Sequence, residues 1–479
     1  MASKFALAFD ALSLILFVLI TFFVRRSASR IALRAVHRSG ARIDRFKLTR
    51  KPFIRETLLA DPTIAEAVKE HAAEHQISED RTWRRVEEYI DEIVPFFNIL
   101  TYYKFGLVVS RALLNFFYKV SAEYAGKASR LPKDSIVIYL MNHRSNADYV
   151  LVGYVLSGQV AISYAVGEWA RAFPLEFIFK SFGAYFIRRK YREKLYHTVL
   201  EQYVQLITRN GVTQGIFLEG GLSRDGHLGK AKIGLFDYLI GVARDPQLTD
   251  KLYVVPVAVN YDRVLEDRSL LRELDSREGR ERPSRVVQLG EVARYVWWNL
   301  ARLVVRRWKR YGRAAVVIGE PIPLGPWIRQ QHHETGNFFA IERSQRLARV
   351  QVLADTVLSE IAQLVPVTPV TLACAAIQSF NGDFIPHAQL IERMRDMRDV
   401  LDELNARVVH REGSVEEIFD RAWRMLSMRR MLVRSGSGYS VLPGNRVLVN
   451  YYANSIGHLL GAFVNGVGER DRLTALEVL

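Results

Sequence analysis

His143 and Asp148 stand five residues apart in Asn142-His-Arg-Ser-Asn-Ala-Asp-Tyr149, directly after the apolar run Ile136 to Leu140. That run reads as a β-strand and Tyr149 to Leu156 as a helix, so the pair falls on a strand-to-helix turn, where α/β proteins keep their chemistry. Residues at this interval lie on different faces of one helix and meet only if the chain bends between them, at Arg144-Ser145-Asn146. Folded back, the Asp148 carboxylate would accept the proton of one imidazole nitrogen and leave the other free to deprotonate an alcohol. Asn146 is the candidate N-cap, with Asp148 in the first helical turn. A capped helix carrying a hydrogen-bonded histidine would leave the same pattern.

Three downstream stretches are also apolar runs that end in polar residues: Gly183 to Arg189, Phe217 to Gly226 and Val254 to Tyr261. Read as strands, they deliver Arg188 and Arg189, then Glu219 to Arg224, to loops at strand ends. Guanidinium forks suit phosphate, although an arginine pair at a strand end can equally be solvated. Glu219-Gly220-Gly221 would let backbone approach a ligand while the carboxylate holds a polyol hydroxyl; an ordinary glycine turn is the alternative. Lys230 and Lys232 precede the apolar stretch Ile233 to Ile240 and either favour an anion at a helix start or are solvated.

These residues together resemble the glycerol-3-phosphate acyltransferase family, within the His-x-x-x-x-Asp glycerolipid acyltransferases. The resemblance runs from about Ser135 to Tyr261 and consists of four ordered blocks: His-Arg-Ser-x-x-Asp at 143–148, Gly-x-x-Phe-Ile-Arg-Arg at 183–189, Glu-Gly-Gly with Ser-Arg at 219–224, and Val-Pro-Val at 255–257. It implies that His143 is the base and Asp148 its orienting partner. It further implies that Arg144, Ser145, Arg188, Arg189, Glu219, Gly220, Ser223 and Arg224 bind glycerol 3-phosphate, with Lys232 or Lys230 able to compensate for a missing contact. The gap is Leu222, which stands where the family has an arginine. The acceptor is accordingly glycerol 3-phosphate, or alternatively dihydroxyacetone phosphate or a lysophospholipid. The donor is acyl-CoA or acyl carrier protein, with no other cofactor. Pro256 inside its apolar strand fits an edge or wall position near an acyl chain, and core packing accounts for it equally.

The chain has 479 residues, 49% hydrophobic and 25% charged, which excludes a disordered protein and leaves room for two or three domains. A net charge of +16 implies an anionic partner: a phosphorylated substrate, an anionic lipid surface or nucleic acid. No nucleic-acid motif accompanies it, so nucleic acid is not expected, while a non-catalytic basic membrane-binding protein is the alternative of another class. Cys374 is the single cysteine, which excludes an internal disulfide and a cysteine zinc site, and the eleven histidines show no metal-ligand spacing.

Phe5 to Val24 is long enough to span a bilayer, with Asp10 its one charge, and arginines from Arg25 to Arg45 follow it. The expected localisation is therefore a membrane, with the catalytic region on the cytoplasmic face. The expected organisation is a membrane anchor at 1–30, a helical region at 31–125, an acyltransferase domain at 126–335 and a mainly helical domain at 336–479. The fold class is α/β, a mixed-sheet acyltransferase core flanked by helices. Asp80 is a candidate cap, Tyr191 to Asn210 reads as an amphipathic helix, and Leu300 to Tyr311 resembles an interfacial helix. A hairpin is expected around Ser435 to Gly438, and no chemistry is read beyond residue 336.

Overall fold

The computed structural model describes residues 46, 51–96, 107–125, 131–132, 134–157, 160–167, 175–188, 191–277 and 310–461. The apolar segment Phe5 to Val24 and the helix expected at Leu300 lie outside them. Among the described residues no helix is long and apolar enough to cross a membrane.

The strands in chain order are β1 (Lys119–Tyr124), β2 (Ile136–Met141), β3 (Ser163–Gly167), β4 (Tyr185–Ile187), β5 (Gln214–Phe217), β6 (Leu252–Tyr261), β7 (Arg313–Ile318) and β8 (Ile322–Pro323). The chain divides into two compact units, one of Met1–Ala112 with Gly153–Gln214, the other of Leu113–Val152 with Gly215–Leu479.

The first unit holds the parallel pair β3–β4 and an array of helices. Its helix Glu79–Ile93 is capped by Ser78, whose hydroxyl accepts the Arg81 N–H, while Asp80 lies inside the first turn; the cap expected at Asp80 is thus two residues earlier. Helix Lys194–Arg209 ends at Asn210 and Gly211, as its pattern indicates.

The second unit is built on a mixed sheet in the order β1-β7-β6-β2-β5, with β8 beside β6. β2 is fully buried and parallel to β6, which turns antiparallel toward β7. Pro256 therefore sits inside the sheet, which selects core packing over the edge or wall position. The sheet tolerates it because β7 pairs residues from Val257 onward and β8 pairs Tyr253 and Val254. The absent N–H falls at the switch between those two strands, where the Pro256 carbonyl accepts the Gly319 N–H at 2.8 Å. Beyond the sheet come mainly helices, among them Arg343–Leu364, Pro369–Gln378, Val415–Met428 and Arg446–Ala453. The hairpin around Ser435 to Gly438 pairs as expected and takes Phe384–Pro386 as a third strand.

Candidate active site

β2 ends at Met141, and the turn Asn142 to Ala147 leads into the helix Asp148–Leu156. Asn142 pins the turn's start across the sheet: its amide donates to the Val259 carbonyl at 3.0 Å and its oxygen accepts the Val259 N–H at 2.8 Å. His143 Nδ1 donates to Asp148 Oδ2 at 3.0 Å, so the five-residue interval does fold back. The same Oδ2 accepts the backbone N–H groups of Arg144 at 2.7 Å and Ser145 at 3.0 Å, and Oδ1 accepts the Tyr261 hydroxyl at 2.5 Å. Four donors on one buried carboxylate fix its direction. At the helix entry, the Ser145 hydroxyl accepts the Ala147 N–H at 3.1 Å, where the sequence pattern had pointed to Asn146 as the cap.

The imidazole is held from both sides. Phe217 stacks on it with centroids 3.8 Å apart, and Tyr149 meets it edge-on at 5.5 Å. His143 is 1% exposed, and Nε2 makes no hydrogen bond among the described residues. A histidine with Nδ1–H tied to a carboxylate presents Nε2 as the acceptor, the arrangement a general base requires.

Glu219 lies just beyond β5. Its Oε1 accepts the His143 N–H at 2.8 Å and its Oε2 the Gly229 N–H at 2.7 Å. Burial pushes its carboxyl above the usual range despite those two donors. Both oxygens thus brace the turn and the loop opposite, an arrangement the expected polyol contact would have to share. Gly220 has φ +63°, a left-handed backbone conformation that favours glycine, and a Cβ there would fall 2.8 Å from the flexible Lys232 side chain. The Lys232 N–H donates to Leu218, with its stem laid over Gly220. Ser223 joins the cluster through its N–H, which donates to the His143 carbonyl at 3.0 Å, while its hydroxyl donates to the His227 carbonyl at 2.7 Å. Arg224 pairs with Glu273 at 2.9 Å, and Lys230 is exposed.

Arg144 turns inward, 3% exposed, donating Nη1 to the Gly226 carbonyl at 2.6 Å with its guanidinium 4.8 Å from the Tyr451 ring. Its Nε and Nη2 are buried without hydrogen-bond partners, and Arg144 lines a small cavity together with Asn142, Glu219, Gly226, Val365 and Ser455. Cys374 is buried, and burial raises its thiol, which does not suit a nucleophile. Among the described residues no cluster of histidine, cysteine and carboxylates could hold a metal.

Arg188, in the first unit, directly follows β4 as expected. Its Nε donates to Glu92 Oε1 at 2.8 Å and Oε2 at 3.0 Å, and Nη2 also contacts Oε2. Arg189 lies outside the described residues. Sequence reasoning missed Tyr261 as a partner of Asp148, Phe217 as the imidazole's stacking surface, and Glu266, which accepts the Ser145 hydroxyl at 2.7 Å. Tyr261 and Phe217 end apolar runs, a signal that marks a strand terminus without identifying its partner.

Residues 125–260 match the family model for acyltransferases, and residues 297–462 match the glycerol-3-phosphate acyltransferase C-terminal region. The glycerol-3-phosphate acyltransferase of Pasteurella multocida is 28% identical over 417 residues, 84% of this chain and 49% of that protein. Its counterpart in Aeromonas hydrophila is 26% identical over 422 residues, 86% of this chain and 50% of that protein. The chain spans about half the length of the curated relatives it matches. The crystal structure of the 1-acyl-sn-glycerophosphate acyltransferase of Thermotoga maritima overlaps 54% of this chain and 77% of its own at 19% identity, with a TM-score of 0.30, too loose a superposition to carry weight.

Proposed function

We propose, from the premise that this chain belongs with the glycerol-3-phosphate acyltransferases, that it transfers a fatty acyl group from a thioester to the sn-1 hydroxyl of glycerol 3-phosphate. The product is lysophosphatidic acid, and the reaction is the first step of phospholipid synthesis. The observation that carries this reading is the bond from His143 Nδ1 to Asp148, which leaves Nε2 unengaged. Nε2 removes the hydroxyl proton as the oxygen attacks the thioester carbonyl. The C–O bond forms, the C–S bond of the tetrahedral intermediate breaks, and the thiolate recovers the proton from the imidazolium. Asp148 stabilises that imidazolium. No acyl-enzyme is required, and no cofactor beyond acyl-CoA or acyl carrier protein.

Arg188, Arg189 and Arg224 hold the phosphate, with Lys232 assisting, and this orients the hydroxyl. Arg144, Ser145, Glu219, Gly220 and Ser223 shape the acceptor's surroundings. Leu222 favours a second reading, in which the acceptor is dihydroxyacetone phosphate or a lysophospholipid. The basic chain works at a membrane, anchored through Phe5 to Val24 with the catalytic region on the cytoplasmic face. The test is transfer from labelled palmitoyl-CoA by membranes carrying the full chain, each acceptor offered separately. His143→Ala is expected to lower turnover by about 10²–10⁴-fold. Turnover near the wild-type rate in a well-folded variant would sink the mechanism, and a product from another acceptor alone would select the second reading.

A further inference from the structure

The catalytic turn is held by a residue outside all four sequence blocks. Glu266 precedes the helix Asp267–Arg277; its Oε2 accepts the Ser145 hydroxyl at 2.7 Å and its Oε1 the Asn146 N–H at 3.2 Å. Ser145 is fully buried, its hydrogen is given to Glu266 and one lone pair is taken by Ala147, which ties the side chain to the bend. An ionised carboxylate is acceptor-only and can serve both donors at once, which neither a hydroxyl nor an amide oxygen paired with an NH₂ does as well. The site is nevertheless a costly one for a carboxyl: burial first, and then nearby Asp148, push Glu266 above the usual carboxylate range.

The neighbouring Asp267 is fastened to the C-terminal helices. Arg429 donates Nη2 to its Oδ1 at 2.9 Å and Nη1 to its Oδ2, and the Tyr452 hydroxyl shares Oδ2. Arg429 and Asp267 are both buried, so the pair is locked out of water. Two successive carboxylates thus join the bend after His143 to Arg429 and Tyr452.

We propose that Glu266 is a positioning residue, which fixes the Arg144–Asn146 bend so that His143 meets Asp148, and which is itself fixed through Asp267 by Arg429. The proposal rests on His143 being the base. Its test compares Glu266→Ala, Glu266→Gln and Ser145→Ala in the purified full chain by steady-state kinetics and melting temperature. In parallel, carbethoxylation of His143 by diethyl pyrocarbonate is followed across pH by mass spectrometry of the peptide that carries it. Because loosened geometry lowers turnover more than affinity, Glu266→Ala is expected to lose about 10–100-fold in kcat with both KM values within about twofold. Ser145→Ala should lose less, and Glu266→Gln should recover part of the loss. His143 should react about fivefold faster or more in Glu266→Ala, with a shifted pH midpoint, because its orienting bonds relax. Unchanged kcat, or an unchanged rate and midpoint of His143 modification, overturns the proposal. If Glu266→Ala does not fold, Ser145→Ala carries the same two readouts, and either one left unchanged overturns the proposal in the same way. If wild type transfers no acyl group, the functional reading fails, while the modification experiment still decides whether Glu266 orients His143.

Discussion

His143 and Arg188 are each held by a carboxylate, yet the two corners differ in what the carboxylate leaves over. Asp148 is fully buried and takes four donors, and its effect is to spend one imidazole nitrogen and free the other. Glu92 spans Nε and Nη2 of Arg188 in a partly exposed pair, with Tyr89, Tyr191 and Tyr196 rings 5.0 to 5.9 Å away. It fixes one edge of the guanidinium and leaves Nη1 without a hydrogen bond among the described residues. The first corner is a closed network that sets a proton's location; the second is a brace that aims a charge. Removing the carboxylate should therefore be costly in chemistry at one corner and only in affinity at the other.

The largest effect that would sharpen this contrast is Asp148→Asn, which keeps the shape but can favour the wrong tautomer. A loss of about 10³–10⁴-fold in kcat is expected, together with about 1–3 kcal/mol of stability as donors lose their acceptor. Rapid-quench and denaturant measurements on one preparation would separate the two, and a kcat within tenfold of wild type would break the comparison. At the other corner, Glu92→Gln should raise KM for glycerol 3-phosphate by about threefold and leave kcat within about twofold, since the brace contributes orientation only. A fall in KM would instead mean that Glu92 competes with the phosphate.

The smallest effect concerns Glu219, whose raised pKa makes the folded chain hold a proton that the unfolded chain loses near 4.5. Its contribution to stability is then full below that pH and declines as pH rises through the folded value. Relative to Glu219→Gln, which titrates nothing there, wild type should gain stability as the buffer is acidified from neutral. Thermal melts at several pH values would show it, and a constant gap between the two proteins would refute it.

The contact between His143 and Asp148 was legible because its signal is local: a strand, a short polar bend and a helix start within thirteen residues of sequence from Ile136 to Asp148. Glu219 and its glycines were legible as a strand end and turn for the same reason, though not as the brace that binds the His143 backbone. Pro256 left an edge and core packing both open because local chemistry records a missing N–H without recording that β7 gives way to β8 opposite it. Glu266, Asp267 and Arg429 left no periodic or motif signal. Their meaning lies in contacts across the second unit, such as Asp267 to Arg429, separated by 162 positions. The region beyond residue 336 therefore read as devoid of chemistry, although it supplies Tyr451 against Arg144 and Arg429 behind the turn.

Gly226 has φ +95°, and a Cβ on it would land 1.9 Å from the Tyr451 carbonyl oxygen, so the loop after Glu219 docks backbone against backbone on the helix Arg446–Ala453. During synthesis, His143, Asp148 and Glu219 leave the ribosome long before that helix exists. The nascent chain consequently carries the histidine and its carboxylates with one wall of their loop still unmade until Arg446–Ala453 has been translated.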